Sequence, residues 1–418
     1  MAKFLFTMLP ANDLGLPSRL VPIARALADR GHEVAMFNPA PAPAHLIAEA
    51  GLPNLPMPAR SIPEGSIDLA EVRSSWDLEH MFGAAFSHEQ SSRAMTALHV
   101  DLMREYAPDV VVDSFGLFGC LAARIVEIPL VSVLQGNFHP KSNGFLWWKS
   151  ERPAGLPSAV STVNIIRQEY GLPPIERCVD LLAGDLCLIV GSPESDPVPA
   201  AAGVVYVGPI VPQRNGETLP DWVNALRDKP LVWVYCGNPR YGGSVATPID
   251  SIVVIRTAIA ALSELPVNVV LTTGFQELPP EFGALPPNFR HAAYLPGRAM
   301  AERCDVMVHH GGHGSTMTAL LAGTPAVIIP TITERESNAR RAASLGAAEI
   351  VLPVDGAEGE KHADTRDFAE KVTHVLSEAK YRESARRLAE SMSRYGGARL
   401  AADQIEKFCG TTGRRRHY

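Results

Sequence analysis

The stretch from Val308 to Arg341 reads VHHGGHGSTMTALLAGTPAVIIPTITERESNARR and gathers groups able to bind an anion. His309 and His310 end an apolar run, Gly311-Gly312-His313-Gly314-Ser315-Thr316 follows at once, and Met317 to Leu321 then has helical apolar character. The pattern is a strand, a glycine turn and a helix N-terminus. Glycine lets backbone N–H groups approach a phosphate, the helix N-terminus carries about half a positive charge, and Ser315 and Thr316 add hydroxyl donors. A diphosphate cradle is expected. Glycine-rich strand-to-helix turns also occur without a ligand, and the histidine and hydroxyl donors tilt the balance toward binding.

The surrounding elements must hold this turn at a sheet edge. Lys3 to Leu9 is an apolar run. A polar loop follows, then a helix from about Ser18 whose Leu20, Ile23, Ala24 and Leu27 share one face, closed by Asp29-Arg30-Gly31 before the strand Glu33 to Phe37. This is a βαβ unit. Apolar runs at Val110 to Val112, Leu130 to Leu134, Leu186 to Val190 and Val204 to Val207 alternate with Ala-rich helical stretches, as in a parallel sheet covered on both faces. The polar, proline-punctuated segment Ile210 to Pro230 reads as an interdomain connection, and the alternation restarts at Leu231 to Tyr235. The expected division is residues 1–215, residues 216–395, and a helix end and tail over 396–418. Open parallel sheets bind ligands beyond their strands' carboxyl ends. Two such α/β domains facing across a cleft would hold one ligand on each wall.

The composition agrees. With 418 residues, of which 46% are hydrophobic and 20% charged, the chain has ample core for two or three domains of about 150 residues each. A net charge of -7 cannot supply the electrostatic attraction that non-specific nucleic-acid binding needs. No run reaches the roughly 18 to 20 apolar residues that span a bilayer, and a cytoplasmic protein without a membrane span is expected. The six cysteines are scattered singly, without the pairs that zinc or dithiol chemistry requires.

HHGGHGST followed by AGTPAVIIP and ESNARR resembles the nucleotide-sugar motif of the GT-B, family-one glycosyltransferases that modify natural products, including the macrolide and glycopeptide antibiotic enzymes. The resemblance in layout covers nearly the whole chain and implies two Rossmann-like, doubly wound domains. It places His310, Gly312, Gly314, Ser315 and Thr316 on the donor diphosphate, while His309 reads as strand-end packing. Family members carry an Asp-Gln pair for the sugar hydroxyls where this chain has Glu334 and Arg335. A carboxylate survives there beside a cation, and a solvated charge cluster is the plain alternative. Asn338 fits the pattern as a helix-side anchor. Leu295 and Gly297, in HAAYLPG, are implied as pyrimidine contacts. Asn238 stands where the family has a hydroxyl residue after its first strand; donation to a phosphate oxygen and a simple turn role are both open.

Transfer with inversion needs a base near the attacking hydroxyl. Family members place a His in the loop after the first strand. Here that loop, Leu9 to Pro17, has no His, so Asp13 is the nominee, with helix capping as its alternative. Asp113, in VVVDSFG, matches the position whose Asp orients the family's base, and here it could be the base, hold the acceptor or cap the next helix. His139 in GNFHP is a further acid-base or acceptor candidate. Trp76 and Phe82 at near-helical spacing, with Phe145 and Trp147 in a loop-like stretch, would line an apolar acceptor pocket or belong to the core. The expected activity is metal-independent, inverting transfer from a UDP- or TDP-sugar to a hydroxyl of a hydrophobic small molecule, with no cofactor, and a homodimer is left open. C-glycosyl transfer to an aromatic carbon and an inactive nucleotide-sugar-binding helper are the competing readings.

Overall fold

The computed structural model describes residues 1–10, 14–58, 72, 74–144, 151–211, 216–237, 252–357 and 360–412. Asp13, Phe145, Trp147 and Asn238 lie outside them. The chain forms two compact units, Met1–Ile210 with Tyr395–Tyr418, and Val211–Arg394.

The first unit carries a six-stranded parallel sheet of β1 (Lys3–Met8), β2 (Glu33–Phe37), β3 (Val110–Ser114), β4 (Leu130–Leu134), β5 (Leu186–Ile189) and β6 (Val205–Tyr206), in the order β2-β1-β3-β4-β5-β6. A parallel bridge between Met36 and Asn54 extends the β2 edge. Phe4, Leu5, Phe6 and the valines of β3 are fully buried, as continuous apolar strands in a two-sided sheet must be. The helix Pro17–Ala28 starts on a proline, which loses nothing at that position because its N–H would have no partner, and it buries Leu20, Ile23, Ala24 and Leu27.

The last helix, Gly397–Thr412, packs in this first unit. Ala401, Ala402 and Ile405 are buried, Arg30 bridges Asp403 at 2.7 Å and also pairs with Glu406, and His32 Nε2 meets Glu406 at 2.7 Å.

The second unit repeats the plan with β7 (Leu231–Tyr235), β8 (Asn268–Thr272), β9 (Phe289–Ala292), β10 (Val306–His309), β11 (Ala326–Ile328) and β12 (Ala348–Ile350), all parallel in the order β12-β11-β10-β7-β8-β9. Along β7, Val232 and Val234 enter one apolar cluster while Leu231 and Trp233 enter another, the alternation expected when helices cover both faces. In each sheet the strand order reverses once, between β1 and β3 and between β7 and β10, and such reversals leave a crevice at the carboxyl ends. Among the described residues no helix is long and apolar enough to cross a membrane.

Candidate donor and acceptor sites

In the second unit, β10 ends on His309 beside Tyr235 of β7, and the chain then turns through His310-Gly311-Gly312 into the helix His313–Ala322. Gly311 has φ +86, and a Cβ there would lie 2.8 Å from the Arg335 carbonyl oxygen, so conformation and space both demand glycine. His310 lies in a glycine cradle. Cβ positions built on Gly237 and Gly312 fall 2.9 Å from its Cε1 and 2.6 Å from its Nε2. The helix begins at Gly312 with no side-chain cap, and a helix N-terminus favours negative charge. The Thr316 hydroxyl donates to Gly312 O at 3.1 Å, and Thr318 donates to Gly314 O at 2.8 Å.

The turn is held from the next helix, Thr333–Ser344. Asn338 Nδ2 donates to Gly311 O at 3.0 Å and to Glu334 Oε1 at 2.8 Å, and Arg335 Nη1 donates to Thr331 Oγ1 at 2.5 Å. Glu334 and Glu336 fill that helix's first turn, where its dipole favours negative charge. Leu295 is buried in the core cluster that holds Trp233, and Gly297 opens the helix Gly297–Arg303, so neither offers a side chain for recognition. Phe275, at φ +69 and 51% exposed, stacks on Tyr294 at 4.3 Å, and the Tyr294 hydroxyl donates to Glu217 at 3.0 Å.

Burial pushes the His310 pKa well below the usual histidine range, the Arg335 guanidinium and then His309 push it further, and a backbone bond to Tyr235 resists. Its Nδ1 is buried without a partner. His310 is therefore a neutral imidazole, and a neighbouring diphosphate would raise its proton affinity.

His309 is fully buried, and burial lowers its pKa to about 3. Above the ordinary value of 6.5 the ring is neutral in both folded and unfolded chains; as pH falls below it, the unfolded chain takes a proton that the folded chain refuses down to about pH 3. Stability present at neutral pH is thus lost toward acid. His309→Asn should remove about 2 kcal/mol of the difference in unfolding free energy between about pH 7.5 and pH 5, read from urea midpoints. An unchanged acid limb would contradict this assignment.

In the first unit, Asp113 pairs in register with Thr7 and is 1% exposed. Thr7 Oγ1 donates to its Oδ2 at 2.6 Å, while the Gly116 N–H at 2.7 Å and Cys120 Sγ at 3.3 Å donate to Oδ1. Burial raises its pKa to about 6 against those three donors and the Arg124 charge. The carboxylate ties β3 to the Gly116 N–H just before the helix Leu117–Ile125, with Phe115 at φ +62 between them. Phe82 is 1% exposed and packs 5.6 Å from Phe115, which stacks on Phe138 at 4.3 Å. His139 follows Phe138; it is 3% exposed, accepts from the Lys141 N–H at 3.2 Å, and is shifted down by burial and then by Lys141. Trp76 is half-buried, with its backbone N–H donating to His80 Nδ1 at 3.0 Å.

The glycine turn, His310, Glu334 and Arg335 thus converge in one unit. Sequence reasoning missed Gly237, whose role as a wall for His310 depends on two distant segments meeting, and took His309 for packing although the adjacent Gly-Gly marks a turn needing backbone anchors.

Residues 256–403 match the family described as erythromycin biosynthesis protein CIII-like, C-terminal domain. The chain is 26% identical over 330 residues to a PGL/p-HBAD biosynthesis glycosyltransferase of Mycobacterium tuberculosis (strain ATCC 25177 / H37Ra), covering 74% of this chain and 72% of the relative. It is 25% identical over 405 residues to the 3-alpha-mycarosylerythronolide B desosaminyl transferase of Saccharopolyspora erythraea, covering 89% and 90%. Its fold is similar to that of the spinosyn rhamnosyltransferase SpnG complexed with thymidine diphosphate, at a TM-score of 0.70 and 21% identity over 97% of this chain and 100% of the other. The chain is a glycosyltransferase with the GT-B fold, similar to enzymes of natural-product biosynthesis, and its residues 256–403 match the erythromycin biosynthesis protein CIII-like C-terminal domain.

Proposed function

We propose that this glycosyltransferase moves a sugar, with inversion, from a TDP- or UDP-sugar to a hydroxyl of a hydrophobic small molecule, without a metal. The uncapped helix N-terminus at Gly312, beside a buried His310 whose Nδ1 has no partner, carries the reading. Oriented amides, the helix dipole and a neutral imidazole that gains a proton as charge arrives can offset a diphosphate leaving group. The thymidine diphosphate in the similar spinosyn enzyme favours a TDP-sugar. Glu334, oriented by Asn338, would receive sugar hydroxyls, with Arg335 beside it.

For the acceptor proton, Asp13 is the base we assign, since Asp113 is already occupied by three donors inside the first unit. The acceptor would lie near Trp76 and His139, with Phe145 and Trp147 as further candidates from the sequence and Phe82 in the core of the same unit. Turnover of a panel of TDP- and UDP-sugars with phenolic and polyketide acceptors tests the proposal, and retention of nucleotide without turnover on any pair would favour a non-catalytic helper instead. The loop lacking histidine also suits C-glycosyl transfer, which product NMR separates from O-transfer. Asp13→Asn should lower kcat roughly a hundredfold while TDP affinity stays within about threefold. Unimpaired turnover would remove Asp13 from the mechanism.

A further inference from the structure

We propose that His309 is a positioning residue: with Asn338 it clamps the two peptide planes flanking Gly311 and so presets the amides that receive the diphosphate. The inference rests on the donor-site reading above. The Gly311 N–H donates to His309 Nδ1 at 3.1 Å, and the Gly311 carbonyl accepts from Asn338 Nδ2 at 3.0 Å. One bond orients the plane shared with His310, and the other orients the plane leading into Gly312. Both bonds are buried. Without them Gly311, which has no side chain to pack, would be the freest joint between β10 and the helix.

The chemistry of the ring fits this task and not simple filling of space. To accept from an amide, Nδ1 must keep its lone pair, so the ring proton sits on Nε2, and that buried nitrogen has no partner. An apolar side chain of similar volume would fill the place without that desolvation penalty. Burial also keeps the ring neutral down to about pH 3, so Nδ1 stays an acceptor around neutral pH. In the His309→Asn variant the side-chain oxygen would stand at the position of Nδ1; a leucine there would offer nothing.

The test compares His309→Asn, His309→Leu and Asn338→Leu in the full chain. Hydrogen exchange at the Gly311 amide, without nucleotide, should be about tenfold faster in His309→Leu and within about threefold of wild type in His309→Asn. The TDP dissociation constant and the donor KM should rise about tenfold in His309→Leu with kcat nearly unchanged, be largely rescued in His309→Asn, and rise similarly in Asn338→Leu. If His309→Leu does not fold, Asn338→Leu carries the comparison from the other side of the clamp. Equal behaviour of the Asn and Leu variants at 309, or wild-type exchange and affinity in both Leu variants, would overturn the proposal. Failure of the wild-type chain to hold either TDP or UDP would instead sink the donor-site reading, and Gly311 exchange would still decide whether the clamp exists.

Discussion

Gly312→Val is expected to destroy donor use while leaving the fold intact. The Cβ position at Gly312 lies 2.6 Å from His310 Nε2, and the ring is hemmed in by Gly237 as well, so the imidazole must leave its place. Gly312 itself sits at φ −58 and ψ 143, backbone that valine adopts freely, so the cost falls on the displaced ring and not on the main chain. Displacing a donor group by an ångström and crowding the amides beside it should lower kcat/KM for the sugar donor about a thousandfold. Calorimetry with TDP should show a matching loss, and the melting temperature should fall by roughly 3–10 °C with a cooperative transition retained. Nucleotide affinity within about threefold of wild type would place the phosphates elsewhere.

Asp113→Leu should act on stability instead. The substitution strands the Thr7 hydroxyl, the Gly116 N–H and the Cys120 thiol in the core, and buried donors without acceptors cost about 1–3 kcal/mol each, partly relieved by local relaxation. A loss of roughly 4 kcal/mol is expected from urea unfolding of the full chain. Asp113→Asn keeps one acceptor oxygen and should lose about 1–2 kcal/mol. The pH dependence has a definite sign. With a folded pKa of about 6 against an ordinary 3.8, the folded chain holds this proton more tightly, so the contribution favours folding in acid and is lost as pH rises through about 6. Asp113→Asn should therefore compare best with wild type in alkali. A normally stable Asp113→Asn that had lost turnover would return Asp113 to the reaction itself.

The strand ends were legible because local physics writes them locally. Apolar runs marked β1, β3, β7 and β10, the helical spacing of Leu20, Ile23, Ala24 and Leu27 marked the first helix, and the glycines after His310 marked a turn that only glycine can make. The aromatic pattern was ambiguous because near-helical spacing looks alike on a pocket wall and in a core, and Phe82 proved to be core.

The sequence by itself determined the α/β class, the two runs of alternating strands and helices, and the glycine turn into a helix within the segment 308–341, since periodicity and backbone freedom are properties of neighbours along the chain. Only the tertiary structure decided that Gly237 walls in His310, that His309 and Asn338 grip the same glycine, that Asp113 is sealed beneath three donors, and that the final helix packs in the first unit. Each depends on strand order and on which crossover brings remote segments together, and no local pattern encodes that.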